Sequence, residues 1–150
     1  MRRVREGLEG YHGLEVDSVG RLELYCTFVS ASVHYMNFTV KEENRVWRVT
    51  GFYGWPNVAE RHLSWELLQL LSRQSTLPWL CIGDFNEILF STEMKGSSRP
   101  QRQMINFQRA VDECGLRDVA WEGYQFTFDN GQSGEANRQS MIDRAMCTAA

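Results

Sequence analysis

An α/β fold is what this sequence predicts, and three observations carry that expectation. Between Val33 and Phe52 two strand-like runs flank the polar connection Lys41-Glu42-Glu43-Asn44, the pattern of a β-hairpin. After Asn57, and again after Pro100, apolar residues recur at helical spacing instead. Between these two segments the stretch from Leu77 to Ile82 is apolar throughout except for Pro78, which suits a short strand buried on both faces at the centre of a sheet.

Taken in order, residues 1–13 are charged and glycine-rich, and they are expected to be loosely held. Leu14-x-Val16 and Leu22-x-Leu24, with Gly20 between them, predict two short strands around a turn within residues 14–28. In the hairpin that follows, His34, Met36, Phe38 and Val40 share one side, while Tyr35, Asn37 and Thr39 share the other. Asn57 with Glu60 forms a plausible helix cap, and Leu63, Leu67, Leu70 and Leu71 make the inner stripe of a helix over about 58–73, widened by Trp65 and Leu68. Pro100 opens a second helix whose stripe is Met104, Phe107, Val111 and Cys114, and Gly115 ends it. Tyr124, Phe126 and Phe128 alternate as in a strand, Asp129-Asn130-Gly131 is a turn, and a last strand is expected around Met141 to Met146.

Bulk properties narrow the function classes. At 43% hydrophobic and 23% charged residues the chain is too apolar for disorder, and 150 residues suit one core. A net charge of -3 argues against sequence-independent clinging to DNA, which needs a basic surface, so any nucleic-acid contact must be local. Cys26, Cys81, Cys114 and Cys147 lack the spacing of a zinc site and read as free thiols packed as small hydrophobes in a reducing compartment, with no disulfide partner. No apolar stretch reaches membrane-spanning length, and no apolar region follows the basic residues Arg2, Arg3 and Arg5 as in a signal peptide. The expectation is a soluble intracellular protein, a monomer by default. His34 and His62 have no telling partner and read as structural. Asp129, Asn130 and Glu135 do not match the twelve-residue calcium loop and read as a turn.

The chemistry gathers where the central run ends, at Gly83-Asp84-Phe85-Asn86-Glu87. If the backbone stays extended, Asp84 and Asn86 point to one side, about 6.6 Å apart by two strand rises. A carboxylate beside a neutral amide can hold a hard cation such as Mg2+ or orient a water against a phosphate. Glycine, aspartate and asparagine are also ordinary turn residues, so these positions taken alone describe a polar turn rather than a site.

The run GDFNEIL (83–89), with WRVTGFYGWP (47–56) and HLSWELL (62–68) upstream and the segments 101–131 and MIDRAM (141–146) downstream, resembles the endonuclease/exonuclease/phosphatase superfamily. More closely, it is similar to the apurinic-endonuclease-like domain of plant non-LTR (long interspersed) retrotransposons, over about residues 14–147. The resemblance implies a four-layered α/β sandwich, two packed and mostly antiparallel sheets flanked by helices, and Mg2+- or Mn2+-dependent hydrolysis of a DNA phosphodiester in the nucleus or cytoplasm. It gives Asp84 the attacking water, Asn86 the phosphate or the metal environment, Tyr53 a phosphate contact, and Asp143 the task of holding the catalytic histidine. It sets the Gly-Ser-Ser-Arg-Pro loop, with the cations Lys95, Arg99 and Arg102 in and around it, near DNA. Three departures stand against the family pattern: Leu22-Glu23-Leu24 directly follows Asp17-Ser18-Val19-Gly20-Arg21, Met141 replaces an arginine, and Phe128 replaces a tryptophan. No histidine follows His62, so the family's Ser-Asp-His is not found, and no segment aligns with its asparagine and metal-ligating glutamate motifs. The sequence therefore predicts a partial domain over 14–150, inactive or weak by itself. Its alternatives are a non-catalytic nucleic-acid- or protein-binding remnant and an inositol-phosphate phosphatase.

Overall fold

The computed structural model describes residues 24–149. Expectations for residues 1–13, for a strand at Leu14–Val16 and for the turn at Gly20 lie outside that span, as does all of the Leu22–Leu24 strand except Leu24.

The hairpin forms where the alternation places it. Strands β1 (Leu24–Ala31), β2 (Tyr35–Glu42) and β3 (Arg45–Tyr53) run antiparallel in succession, with one register shift in β1 between Phe28 and Ser30. The chain then crosses over through a 3-10 turn at Val58–Glu60 and helix α1 (His62–Arg73) to β4 (Trp79–Asp84), which lies parallel to β3. A second crossover through β5 (Met94–Lys95) and α2 (Gln101–Glu113) leads to β6 (Leu116–Asp118). After β7 (Phe128–Asp129) and β8 (Gln139–Ser140), strand β9 (Asp143–Thr148) inserts between β4 and β6. The main sheet has the order β1-β2-β3-β4-β9-β6, and a small sheet has the order β5-β8-β7. Two sheets with helices in a mixed α/β arrangement agree with the predicted sandwich class.

The central run does sit mid-sheet, but only one of its faces is closed among the described residues. Trp79 and Cys81 are fully buried with Phe52, Met146, Leu68, Leu71, Phe107 and Val111 beneath α1 and α2, whereas Ile82, on the other face, is 47% exposed. Register sorts the other strands in the same way: Thr50 and Phe52 of β3 and Arg144 and Met146 of β9 are buried, while Tyr53 and Asp143 are exposed. In β2 the helix side takes Asn37, which accepts from the Thr50 hydroxyl that in turn accepts from Trp79 Nε1, and Met36 lies on the open side.

Helix α1 is rotated from its predicted stripe. Ser64, Trp65, Leu68 and Leu71 face the core, and Leu70 is 57% exposed, because Leu68 and Leu70 stand about 200° apart around the helix and only one can dock. Asn57 caps the 3-10 turn, its Oδ1 accepting from Ala59 N, instead of capping the helix proper. The second helix keeps its expected stripe, with Phe107, Val111 and Cys114 buried and Ala110 added.

The predicted strand at 124–128 shrinks to a two-residue ladder at Phe128–Asp129. Tyr124 is mostly exposed and Phe126 meets it edge-on at 5.7 Å, so the aromatic alternation packs on itself without strand pairing. Of the cysteines, all free, Cys81 and Cys114 are buried as expected and Cys26 is exposed on β1. No helix among the described residues is long and apolar enough to cross a membrane.

Candidate active site

Three strands bring the candidate residues into one row. Tyr53 ends β3 and pairs in register with Asp84 at the end of β4, and Asp84 pairs with Asp143 at the start of β9. Registered residues on neighbouring strands share a face, so the phenol and both carboxylates stand side by side.

The loop after β4 departs from the extended course that would have set Asp84 and Asn86 two rises apart. Asn86 takes a left-handed conformation at φ 55°, which asparagine tolerates, and its N–H donates to Asp84 Oδ1 at 2.7 Å. The two side chains are neighbours through this Asx turn. Asn86 Nδ2 donates to the Gly54 carbonyl at 2.8 Å; that oxygen can only accept, which fixes the amide orientation and leaves Asn86 Oδ1 for another partner.

The loops after β3 and β4 interlock. Gly54 N–H donates to Asp84 O at 2.7 Å, Phe85 N–H donates to Ile142 O at 2.9 Å, and Phe85 stacks on Phe52 with centroids 5.0 Å apart. A Cβ on Gly54 would come within 2.6 Å of the Phe85 carbonyl oxygen, so glycine is required for this crossing. Thr127 Oγ1 accepts from the backbone N–H of Ile142 and Asp143, at 3.1 and 3.0 Å, and sets the height at which Asp143 joins the row.

Behind the row lies a buried charge triad. Glu87, fully enclosed, pairs with Arg61 and Arg99, each at 2.9 Å. Arg61 also donates to the carbonyls of Pro56 at 2.7 Å and Trp55 at 3.4 Å, so the carboxylate next to Asn86 anchors the Tyr53-Gly54-Trp55-Pro56 loop through one guanidinium. A second network joins Arg144, beside Asp143, to Glu93 at 2.7 Å and Asp118 at 2.9 Å. None of these pairings leaves a local mark in the sequence: Arg99 and Glu87 are 12 residues apart, too far for a helical neighbour, and the other partners lie 26 to 51 residues apart. The only hint is a glutamate followed at once by apolar Ile88 and Leu89.

The three loop cations do not act as one group. Lys95 lies in β5 opposite Gln139, Arg99 is engaged by Glu87, and Arg102 stands exposed in the first turn of α2. A cavity of about 260 Å³ opens on the far side of Asp143, lined in part by Asp118, Trp121, Tyr124, Thr127 and Arg144.

Burial, chiefly, pushes the Asp84 carboxyl above its ordinary value; the Asp143 charge adds to this, while the Asn86 N–H and Arg61 oppose it. Two carboxylates directly opposite on neighbouring strands are unfavourable, and such an arrangement persists at sites that use it. A divalent cation between them would neutralise both charges, and Asn86 Oδ1 would offer it a third oxygen of the right hardness. Among the described residues no group of three or more His, Cys, Asp or Glu could hold a metal, so water and substrate oxygens would have to complete the shell.

A raised carboxyl favours the folded state below the unfolded pKa and loses that contribution as pH rises through the folded pKa. Asp84→Asn, which keeps the acceptor for the Asn86 N–H, is therefore expected to melt a few degrees above the parent at pH 7, with the gap closing as pH falls below the ordinary carboxylate value of 3.8. Thermal melts of both proteins at pH 3 and pH 7 measure it; equal melting temperatures at pH 7 would contradict the burial account.

Comparison with known proteins agrees with this architecture. Residues 5–150 match the profile of the Endonuclease/Exonuclease/phosphatase family. The solved endonuclease domain of TRAS1, a telomere-specific non-LTR retrotransposon, is similar with a TM-score of 0.57 and 16% identity, over 82% of this chain and 56% of that one. A beta toxin structure from Staphylococcus aureus is similar with a TM-score of 0.52 and 11% identity, over 77% of this chain and 42% of the toxin. An endonuclease/exonuclease/phosphatase family protein from Leptotrichia buccalis is similar with a TM-score of 0.51 and 13% identity, over 88% of this chain and 51% of that one. At these identities the likeness is one of fold, and the chain spans about half the length of the structures it matches. A search of curated proteins finds no match. With nearly its whole length matched by the family profile, the chain belongs to the Endonuclease/Exonuclease/phosphatase family, whose enzymes generally depend on a divalent metal.

Proposed function

We propose that this chain carries the phosphate-handling part of a metal-dependent phosphodiesterase of endonuclease type, of retrotransposon origin and acting on DNA in the nucleus or cytoplasm. The observation that carries the reading is the row of Tyr53, Asp84 and Asp143 across three adjacent strands, with Asn86 folded back onto Asp84. Asp84, raised by burial, is suited to orient or deprotonate a water attacking phosphorus. The Tyr53 phenol can donate to a phosphate oxygen, and the free Oδ1 of Asn86 can face the metal environment. Asp143, exposed and in register with Asp84, adds a second carboxylate to the row. Mg2+ or Mn2+ held at Asp84, Asn86 and Asp143 would polarise the phosphoryl oxygens.

Groups that act as a unit lose orders of magnitude in rate when members are missing. A second reading is a non-catalytic nucleic-acid-binding remnant that uses the same row of side chains. Incubation with supercoiled plasmid and Mg2+ separates the two. The 150-residue chain is expected to nick at or barely above background, with that residue of activity gone in Asp84→Ala. Vigorous nicking that disappears in Asp84→Ala overturns the weakness but keeps the site, whereas nicking that survives the substitution overturns the site.

A further inference from the structure

Beyond Tyr53 the row continues onto the next strand as a set of aromatic rings. His34, the residue before β2, lies opposite Tyr53: Tyr53 N–H donates to His34 O at 2.8 Å, and His34 Nδ1 sits 2.8 Å from Tyr53 O. A carbonyl oxygen only accepts, so Nδ1 carries the proton and the imidazole is held in one tautomer and one plane by the backbone of the site itself. The Trp55 ring stacks on this imidazole with centroids 3.4 Å apart and planes within 14°. On the Tyr53 side the centroid separation is 6.0 Å and the planes differ by 9°. The indole is placed by its own backbone, whose N–H donates to Ser64 Oγ at 2.8 Å and whose carbonyl accepts from Arg61.

Three nearly parallel rings at the lip of a phosphate site, with Tyr53 46% exposed, are poorly explained as core packing. None of the three belongs to the buried cluster beneath the helices. Flat faces with polar edges, an imidazole nitrogen, a phenol and an indole N–H, match the shape and polarity of a nucleobase. They match it one strand from Asp84 at Tyr53 and two strands, about 9.6 Å, at His34, within reach of a neighbouring nucleotide on the same strand. A chain with net charge -3 gains little from neutralising phosphates, and stacking supplies affinity for any sequence without a basic surface.

We propose that the Tyr53–His34–Trp55 ledge binds an unpaired nucleobase beside the phosphodiester presented to Asp84, so that the site prefers single-stranded or locally opened DNA to intact duplex. This rests on the phosphodiesterase reading for the position of the phosphate, but the ledge is tested by binding alone. Fluorescence anisotropy of a labelled single-stranded oligonucleotide and of the same sequence in a hairpin duplex, both without metal, reads it on the full 150-residue chain.

The single strand is expected to bind more tightly than the duplex by about 5- to 150-fold, the range of one base stacked on an aromatic face. Trp55→Ala removes most of that preference and leaves duplex binding unchanged, while Trp55→Phe, which keeps a ring, restores it. Because stacking releases no counterions, the preference itself persists as salt is raised. Equal affinity for the two forms, no measurable single-strand binding, or a Trp55→Ala protein that is folded by circular dichroism and keeps the preference, each overturns the ledge. If the phosphodiesterase reading fails instead, the strand preference remains, in the parent and in Asp84→Ala alike, while plasmid nicking survives Asp84→Ala.

Discussion

Replacing Glu87 by alanine is expected to lower the unfolding free energy by about 3–5 kcal/mol, because it leaves two guanidinium groups without their shared carboxylate in the interior. Both pairings are 2.9 Å long, and Arg61 and Glu87 are buried, so Arg61 above all would be left without its carboxylate away from water. Against a domain stability of about 5–15 kcal/mol, such a loss leaves the fold marginal or unfolded. The consequence reaches the site, since Arg61 also holds the Trp55 and Pro56 carbonyls and thus the loop that carries Tyr53. Urea titration followed by tryptophan fluorescence measures it. An alanine variant within about 1 kcal/mol of the parent would mean that the triad is not the brace it is taken to be.

A comparable effect is expected at Gly83. A Cβ there would lie 2.0 Å from the Phe52 carbonyl oxygen and 3.0 Å from its nitrogen, at a φ of 150° that side chains rarely adopt. The obstructing atoms are backbone, so no rotamer change relieves the clash, and β3 must part from β4 at the pair that precedes Tyr53 and Asp84. Gly83→Ala is expected to cost about 3 kcal/mol or more. Gly51 supplies the control: it lies in the adjoining β3, a Cβ there meets nothing within 4 Å, and Gly51→Ala should stay within about 1 kcal/mol of the parent. Parallel urea titrations that place the two variants together would contradict the crossing geometry.

Local periodicity made the hairpin, both helices and the central strand legible in the sequence, because each is dictated by residues within a few positions of one another. The rotation of α1 was not legible. Leu63, Leu67, Leu70 and Leu71 form a valid stripe, but docking of Trp65 and Leu68 decides which leucine turns outward. Equally hidden was the small sheet, whose two-residue strands exist only through pairings such as Lys95 with Gln139. Tyr124 to Phe128 has strand alternation without a strand partner for most of its length. The sequence placed Asp84 and Asn86 together through an extended backbone, whereas an Asx turn with Asn86 at positive φ joins them. Tyr53 and Asp143 came from family resemblance, and their alignment with Asp84 is a matter of register that spacing along the chain does not encode. Arg61 passed unremarked, because it gains Glu87 and the Trp55 and Pro56 carbonyls only when the loop after β3 folds over it.

Two facing carboxylates and an amide are proposed to form an oxygen cage at a phosphodiesterase site. Titration of Mn2+ into the isotopically labelled protein, read by paramagnetic broadening of its NMR signals, tests this without requiring catalysis. Weak binding is expected, with broadening centred on Asp84, Asn86 and Asp143, reaching Tyr53, and lost in Asp84→Ala. Broadening centred elsewhere, or unchanged by that substitution, would contradict it.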